Sequence, residues 1–395
     1  MPLAERFQLT PLEVAAGSLF GSEPGERRRP ERKRGESPLA ALESVIREGL
    51  QRAPCLVAFS GGRDSSAVLA VAAALARREQ LPLPIPITLR FPEAAATEEA
   101  DWQERVVAAV GLHDWVRIGM TDELDCVGPI ATRVLERHGL MWPSNAHLLV
   151  PMLEDASSGS LLTGNGGDQY FAASPTIERP AAVLGRRVRP EVRDILRIGL
   201  ALSPRPLRRA VLVRRPPDPR RGSWLREGAL RAVHAAWARD AASEPLRLGP
   251  RVRWSWRLRG WLVGMTSLEL LAADAGTLLL HPFDTHRFLD ALTREPKVRG
   301  LADRTEVMRR LFGSVLPDDV CSRSSKASFN DVFWNRHSEA FAERWTGAGA
   351  DPELVDIDVL RSLWTSPEAR NYYLSTTQLQ AAWLAERRRL DGAAQ

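Results

Sequence analysis

Two turns in this sequence carry residue types suited to phosphate chemistry. The first is Ser60-Gly61-Gly62-Arg63-Asp64-Ser65-Ser66. Residues 56–59 before it form a short apolar run bounded by turn residues, which reads as a buried strand. Asp64, Ser65 and Ser66 supply N-cap and first-turn residues for an alanine-rich helix over residues 67–77. Strand, glycine turn and helix start together aim several backbone N–H groups, and the positive end of a helix dipole, at one spot. That spot suits a phosphate or pyrophosphate. A Walker A loop needs a lysine before its Ser/Thr, and a Rossmann turn needs three spaced glycines free of acids; neither is present.

The second turn is Gly164-Asn165-Gly166-Gly167-Asp168, following a strand expected at 160–163. In an open α/β sheet, ligands sit beyond the carboxyl ends of the strands, so two such turns can meet over the same triphosphate. Asp64 and Asp168 are hard oxygen ligands that, with phosphate oxygens, suit octahedral magnesium. The expected nucleotide-binding set is Ser60, Gly61, Gly62, Asp64, Ser65, Ser66, Leu89, Gly164, Gly166 and Asp168, with Asp64 and Asp168 also holding Mg2+.

Around these turns, strand and helix patterns alternate, the signature of a parallel α/β sheet. Strands are expected at 84–91, 116–120 and 160–163. Helices are expected at 10–20, 38–50, from Thr97 to Val110, at 122–138 and at 144–156. Four regions follow: an N-terminal extension with a basic linker (1–37), an α/β core (38–174), an Arg/Pro-rich insertion (175–250) and a helical C-terminal part (251–395). The linker, charged and punctuated by Pro and Gly over 21–37, reads as mobile and solvated rather than nucleic-acid binding.

The chain has 395 residues, 44% hydrophobic and 26% charged, ordinary for a soluble globular protein. No apolar run approaches membrane-spanning length and residues 1–6 do not open a signal peptide, so a cytoplasmic protein is expected. Cys55, Cys126 and Cys321 have neither zinc nor disulfide-framework spacing. The formal charge is +5, and of 54 basic residues only Lys33, Lys297 and Lys326 are lysines. A lysine at a motif position is therefore more informative than usual.

The pair Ser-Gly-Gly-x-Asp-Ser-Ser and, about a hundred residues on, Thr-Gly-x-Gly-x-Asp resembles the synthetase domain of the asparagine synthetase family, with its pyrophosphate loop. That family includes β-lactam and carbapenam synthetases and the macrolactam-forming cyclases of lasso peptides. The resemblance spans roughly residues 40–335. It continues in His281-Pro282-Phe283-Asp284, similar to the family's Pro-Phe-Leu-Asp, and in Arg309-Arg310-Leu311-Phe312, Leu316-Pro317 and the stretch from Ser322 to Phe329. Arg63 replaces the usual apolar residue, and Arg323 sits one position off the usual spacing while Lys326 aligns with Phe329.

The resemblance implies an adenine-nucleotide-hydrolase-like α/β fold with a mostly helical C-terminal half. It implies that ATP adenylates a substrate carboxylate with loss of pyrophosphate and that an amine or ammonia displaces AMP. Lys326 is then the catalytic cation facing the charge that develops on the tetrahedral oxygen and departing phosphate. Where relatives place Glu or Tyr, this chain has Asn165, which cannot take a proton at neutral pH. Glu269 is the expected general base. The first cysteine is Cys55 and the chain opens Met1-Pro2, so the family's glutaminase domain is expected to be lacking. That favours an amine within a larger substrate, such as a precursor peptide presented with a leader-processing protein, over free asparagine production.

Three other readings stand beside this one: asparagine synthesis from aspartate with ammonia from elsewhere, a tRNA-modifying ATP pyrophosphatase, and a non-catalytic binding remnant. The arginines of 175–250 suit an acidic peptide or RNA, but a solvated helical insertion is the simpler expectation. Its tryptophans, and those of 251–261, read as packing residues. His281 and His286, five apart beside a proline, read as structural.

Overall fold

Five parallel strands form one sheet at the centre of the computed structural model, which describes residues 8–23, 35–94, 97, 99–171, 175–186, 188–216, 218–295, 304–323 and 329–393. After α1 (Pro11–Ala16) and α2 (Pro38–Leu50), the chain enters β1 (Cys55–Ala58), α3 (Arg63–Glu79), β2 (Ile85–Arg90), α4 (Ala100–Val110) and β3 (Val116–Gly119). Then come α5 (Pro129–His138), α6 (Val150–Asp155), β4 (Ser160–Leu162) and α7 (Gly167–Phe171). The helical half holds α8 (Pro175–Leu184), α9 (Val192–Leu202), α10 (Arg205–Val213), α11 (Glu227–Ser243), α12 (Leu248–Ser255) and α13 (Arg259–Ala275). It delivers one last strand, β5 (Leu278–Leu280), followed by α14 (His286–Arg294), α15 (Arg304–Phe312), α16 (Asp318–Ser322) and α17 (Asn330–Phe333). The chain finishes with α18 (Arg336–Arg344), α19 (Ile357–Trp364) and α20 (Thr376–Ala393).

The strand order is β3-β2-β1-β4-β5, all parallel. The winding reverses between β1 and β4, and at that point the loops leaving adjacent strands part to opposite sides and open a crevice. Both glycine turns leave the sheet there.

One face of the sheet is covered by α2 and α3. On α3 the side chains of Ala67, Ala70, Ala72, Ala73 and Ala76 are all buried. Small residues around the helix let it lie close against its neighbours, and this holds the first turn rigidly below the crevice. On α2, Leu42, Ile46 and Leu50 are fully buried against the same core.

A second core joins the two ends of the chain. Ala15 and Ala16 of α1 pack with Trp224, Val233, Trp345, Trp364 and Leu379. Trp224 is buried and its indole N–H donates to the Ala15 carbonyl at 2.7 Å. Glu13 and Arg259 pair at 2.7 Å. Residues 8–23 are thus tied into the helical half. The rest of the linker, 24–34, lies outside the described residues. By contrast α9 leaves Val192, Ile195, Leu196 and Leu202 exposed.

Several expected elements are corrected. The helix expected over 122–138 starts at Pro129, because the buried Asp125 carboxylate accepts N–H groups from Val127, Asn335 and Ser338 and holds a turn. Residues 144–156 split into a 3-10 turn at Ala146–Leu149 and the short α6. Thr97 does not cap α4, whose N-cap is Glu99: the Thr97 hydroxyl donates to the Ala94 carbonyl, and α4 begins at Ala100. The helix expected over 10–20 stops at Ala16, where Gly17 turns left-handed. β5, three leucines beside the Pro-Phe-Asp stretch, was not expected. A three-residue apolar run carries no readable period, and only its pairing with β4 makes it a strand.

Candidate active site

The first turn is built by its own side chains. Gly61 has φ +80°, and an added Cβ would stand 2.8 Å from the Gln103 side chain, so glycine is required on both counts. The Ser65 hydroxyl donates to the Gly62 carbonyl at 3.1 Å and lies 3.2 Å from the Ser60 hydroxyl. The Ser60 hydroxyl accepts the Gly62 N–H at 3.3 Å. Gln103 of α4 clamps the turn from outside by donating to the Ser60 carbonyl at 3.1 Å.

The second turn lies directly on the first. A Cβ at Gly164 would approach the Ser65 backbone nitrogen to 2.8 Å, and one at Gly167 would approach the Asp64 Cγ to 2.2 Å. Glycine at these positions is therefore what lets the two turns touch. From behind, the His-Pro-Phe-Asp stretch holds the second turn. His281 Nδ1 lies 2.6 Å from the Thr163 hydroxyl, which accepts the Asn165 N–H at 3.2 Å. Burial pushes His281 down to about 4, so it is neutral, and its tautomer sets which of Nδ1 and the Thr163 hydroxyl donates. Tyr170 donates to Asp284, and Trp261 donates to the same oxygen at 3.1 Å. Burial pushes the Asp284 carboxyl up to about 7, with the nearby charge of Glu269 adding to it against the two donors.

Asp64 and Asp168 converge on a single arginine. Arg304, at the start of α15, donates to Asp64 at 2.5 Å through one terminal nitrogen and to Asp168 through the other. Burial raises the Asp64 carboxyl above its usual range even with Arg304 beside it, and Asp168 adds repulsion. Asp64 Oδ1 is buried and has no hydrogen-bond partner among the described residues. A buried carboxylate oxygen left without a donor calls for a further partner.

These groups border a cleft of about 500 Å³, within the range of small-molecule sites. One half is polar, with Ser60, Gly62, Asp64, Ser65, Gly164 and Asp168 along it. The other half is apolar: Leu89, Phe91, Leu149, Met152 and Phe329, with Phe91 and Phe329 edge to face at 5.8 Å. Of the expected nucleotide-binding set, Gly61, Ser66 and Gly166 do not line the cleft. Ser66 is fully buried behind the turn. Gly61 shapes the turn, and Gly166, at φ +98°, packs on Phe283 and Tyr170.

Glu269 also stands apart. Its side chain is exposed on α13 near Asp284, partial desolvation raises it, and it does not line the cleft. Lys326 lies outside the described residues. Arg323 lines the cleft and is nearly buried: it pairs with Glu99 at 2.5 Å, donates to the Gly61 carbonyl at 2.7 Å and stacks 4.8 Å over Trp102. All three cysteines are buried and unpaired in disulfides.

Sequence reasoning missed Arg304, Gln103, Phe91 and the Tyr170–Asp284–Trp261 cluster. Arg304 had no local signal in a chain whose basic residues are nearly all arginine. The asparagine synthase family model matches residues 40–386, almost the whole of this architecture. The chain belongs to the asparagine synthase family. No curated protein matches it. Membership makes the chain an ATP-dependent, amide-forming ligase in its general class. No helix among the described residues is long and apolar enough to cross a membrane.

Proposed function

We propose that this chain activates a peptide carboxylate with ATP and joins it to an amine of the same or a second peptide. A carboxylate oxygen attacks the α-phosphorus of ATP, pyrophosphate leaves, and the amine nitrogen then attacks the acyl carbon and releases AMP. The apolar half of the cleft suits adenine, and the N–H groups and hydroxyls of the first turn suit the departing pyrophosphate. Asp64 and Asp168 fit a magnesium ion. Among the described residues no group of three or more His, Cys, Asp or Glu side chains assembles, so the remaining ligands would be phosphate oxygens and water. Such an ion would offset phosphate charge. Arg304 holds the two carboxylates in register, and Lys326 is assigned to the developing negative charge.

The observation that carries this reading is that Asp64 and Asp168, distant in sequence, meet on Arg304 at the rim of one half-apolar cleft. Two further cavities of about 690 and 540 Å³ adjoin that cleft, sharing Leu148 with it. Space on that scale suits a peptide better than free aspartate and supports a macrolactam-forming reaction. Glu269, away from the cleft, is not assigned a proton-transfer role.

The test is pyrophosphate release from ATP with magnesium, assayed against aspartate, peptides with a free amino terminus and an acidic side chain, and tRNA. Peptide-dependent release, lost in Asp64→Ala and Lys326→Met, supports the proposal. Release that survives Asp64→Ala, or release only with aspartate or tRNA, overturns it.

A further inference from the structure

The cavities beside the nucleotide cleft differ in chemistry. The 540 Å³ chamber is walled by Trp142, Trp254, Trp261, Met265 and Leu268, and it reaches the second glycine turn at Asn165, which it shares with the cleft. Among the described residues Asp240 is the sole charged side chain that lines it. The 690 Å³ cavity lies across Trp142 and Pro143, which line both. Its charged lining residues, among those described, are Arg221 and Arg370. One chamber is therefore acidic and aromatic, the other basic.

Asp240 belongs to α11 and accepts the Gly21 N–H at 2.8 Å. That bond uses part of an ionised carboxylate's capacity, which extends to about four acceptor positions. Burial raises the Asp240 carboxyl, with the nearby Arg239 acting in the opposite direction. A half-buried anion in an aromatic chamber is costly to desolvate unless a cation joins it. Indole faces attract cations in the same setting. An alcohol or a carboxylate would gain neither interaction, and a carboxylate would meet repulsion.

We propose that the Trp142–Trp254–Trp261 chamber binds a primary ammonium group on an apolar body, with Asp240 as its counter-charge, and that this is the entry site of the amine partner. The last clause rests on the ligase reading. The binding claim does not, and the two fail separately: absent pyrophosphate release overturns the reaction, whereas absent ammonium selectivity overturns the chamber.

The experiment uses the full chain and three matched probes: phenethylamine, 2-phenylethanol and 3-phenylpropionate. Binding is followed by tryptophan fluorescence and calorimetry at neutral pH. Phenethylamine should bind about tenfold more tightly than the alcohol, with the carboxylate weakest. Asp240→Asn keeps an acceptor for Gly21 and should shrink the amine-over-alcohol preference to within about twofold. Met265→Trp fills the chamber and should weaken amine and alcohol together, whereas Arg370→Gln should change neither. Equal binding of amine and alcohol by the wild type overturns the proposal. So does a preference that persists in a folded Asp240→Asn, or binding untouched by Met265→Trp.

Discussion

Replacing Gly167 by alanine tests the contact on which the site depends. The new Cβ would stand 2.2 Å from Asp64 Cγ and 2.4 and 2.5 Å from its two oxygens. Ordinary contacts begin near 3.4 Å, so the carboxylate must retreat by about 1 Å or change rotamer. A displacement of that size at a positioned group costs roughly a hundredfold. That equals about 2.7 kcal/mol, within the range of about 1–3 kcal/mol for an overpacked site. The strain falls on one side chain at the crevice rather than on the core, so melting should shift by only a few degrees. Calorimetric titration with ATP in magnesium, and again in EDTA, isolates the effect. Affinity for the magnesium complex should fall about a hundredfold, and affinity for free ATP should change much less. Gly199→Ala, in α9 with no atom beyond its own helix backbone and chain neighbours within 4 Å of the added carbon among the described residues, is the control and should bind normally. A folded Gly167→Ala protein that binds Mg·ATP within threefold of the wild type would refute the reasoning.

Arg304→Gln removes the cation between two carboxylates, so Mn2+ binding without nucleotide, read by electron paramagnetic resonance, should strengthen about tenfold while free-ATP binding weakens. Asp284 titrates near 7 when folded and in the usual carboxylate range when unfolded. The folded state therefore holds the extra proton between those limits, and stability falls as pH rises through that window, by up to about 1.4 kcal/mol per pH unit. Urea melts of Asp284→Asn between pH 4 and 8 should lose that slope; an unchanged slope contradicts the assignment. Arg323→Met leaves Glu99 buried without its arginine and should destabilise the fold by about 3 kcal/mol in denaturant titrations. Trp224→Ala should cost about 3–5 kcal/mol by the same measurement, since it empties the second core and frees the Ala15 carbonyl.

What the sequence determined by itself is local. The Ser60–Ser66 turn, the strand before it and the alanine-rich helix after it lie within about 25 residues. The N-cap expected from Asp64, Ser65 and Ser66 is corrected, since α3 starts at Arg63 behind Gly62 with no side-chain cap and those three residues lie in its first turn. The geometry of the whole span follows from glycine and small hydroxyls acting over it. The same holds for the parallel α/β class, since its period is written into consecutive segments. Tertiary structure decided which turns meet and what meets them. Arg304 is 240 residues from Asp64 in the chain, and Arg323 is 262 residues from the Gly61 carbonyl it holds. β5 is a strand because β4 is there to pair with it. Asp240 gains its place in an aromatic chamber because α11 is folded back against the Gly21 segment. Contacts of this kind arise only when packing brings distant charges into one dry space, where the lost hydration of each must be met by another.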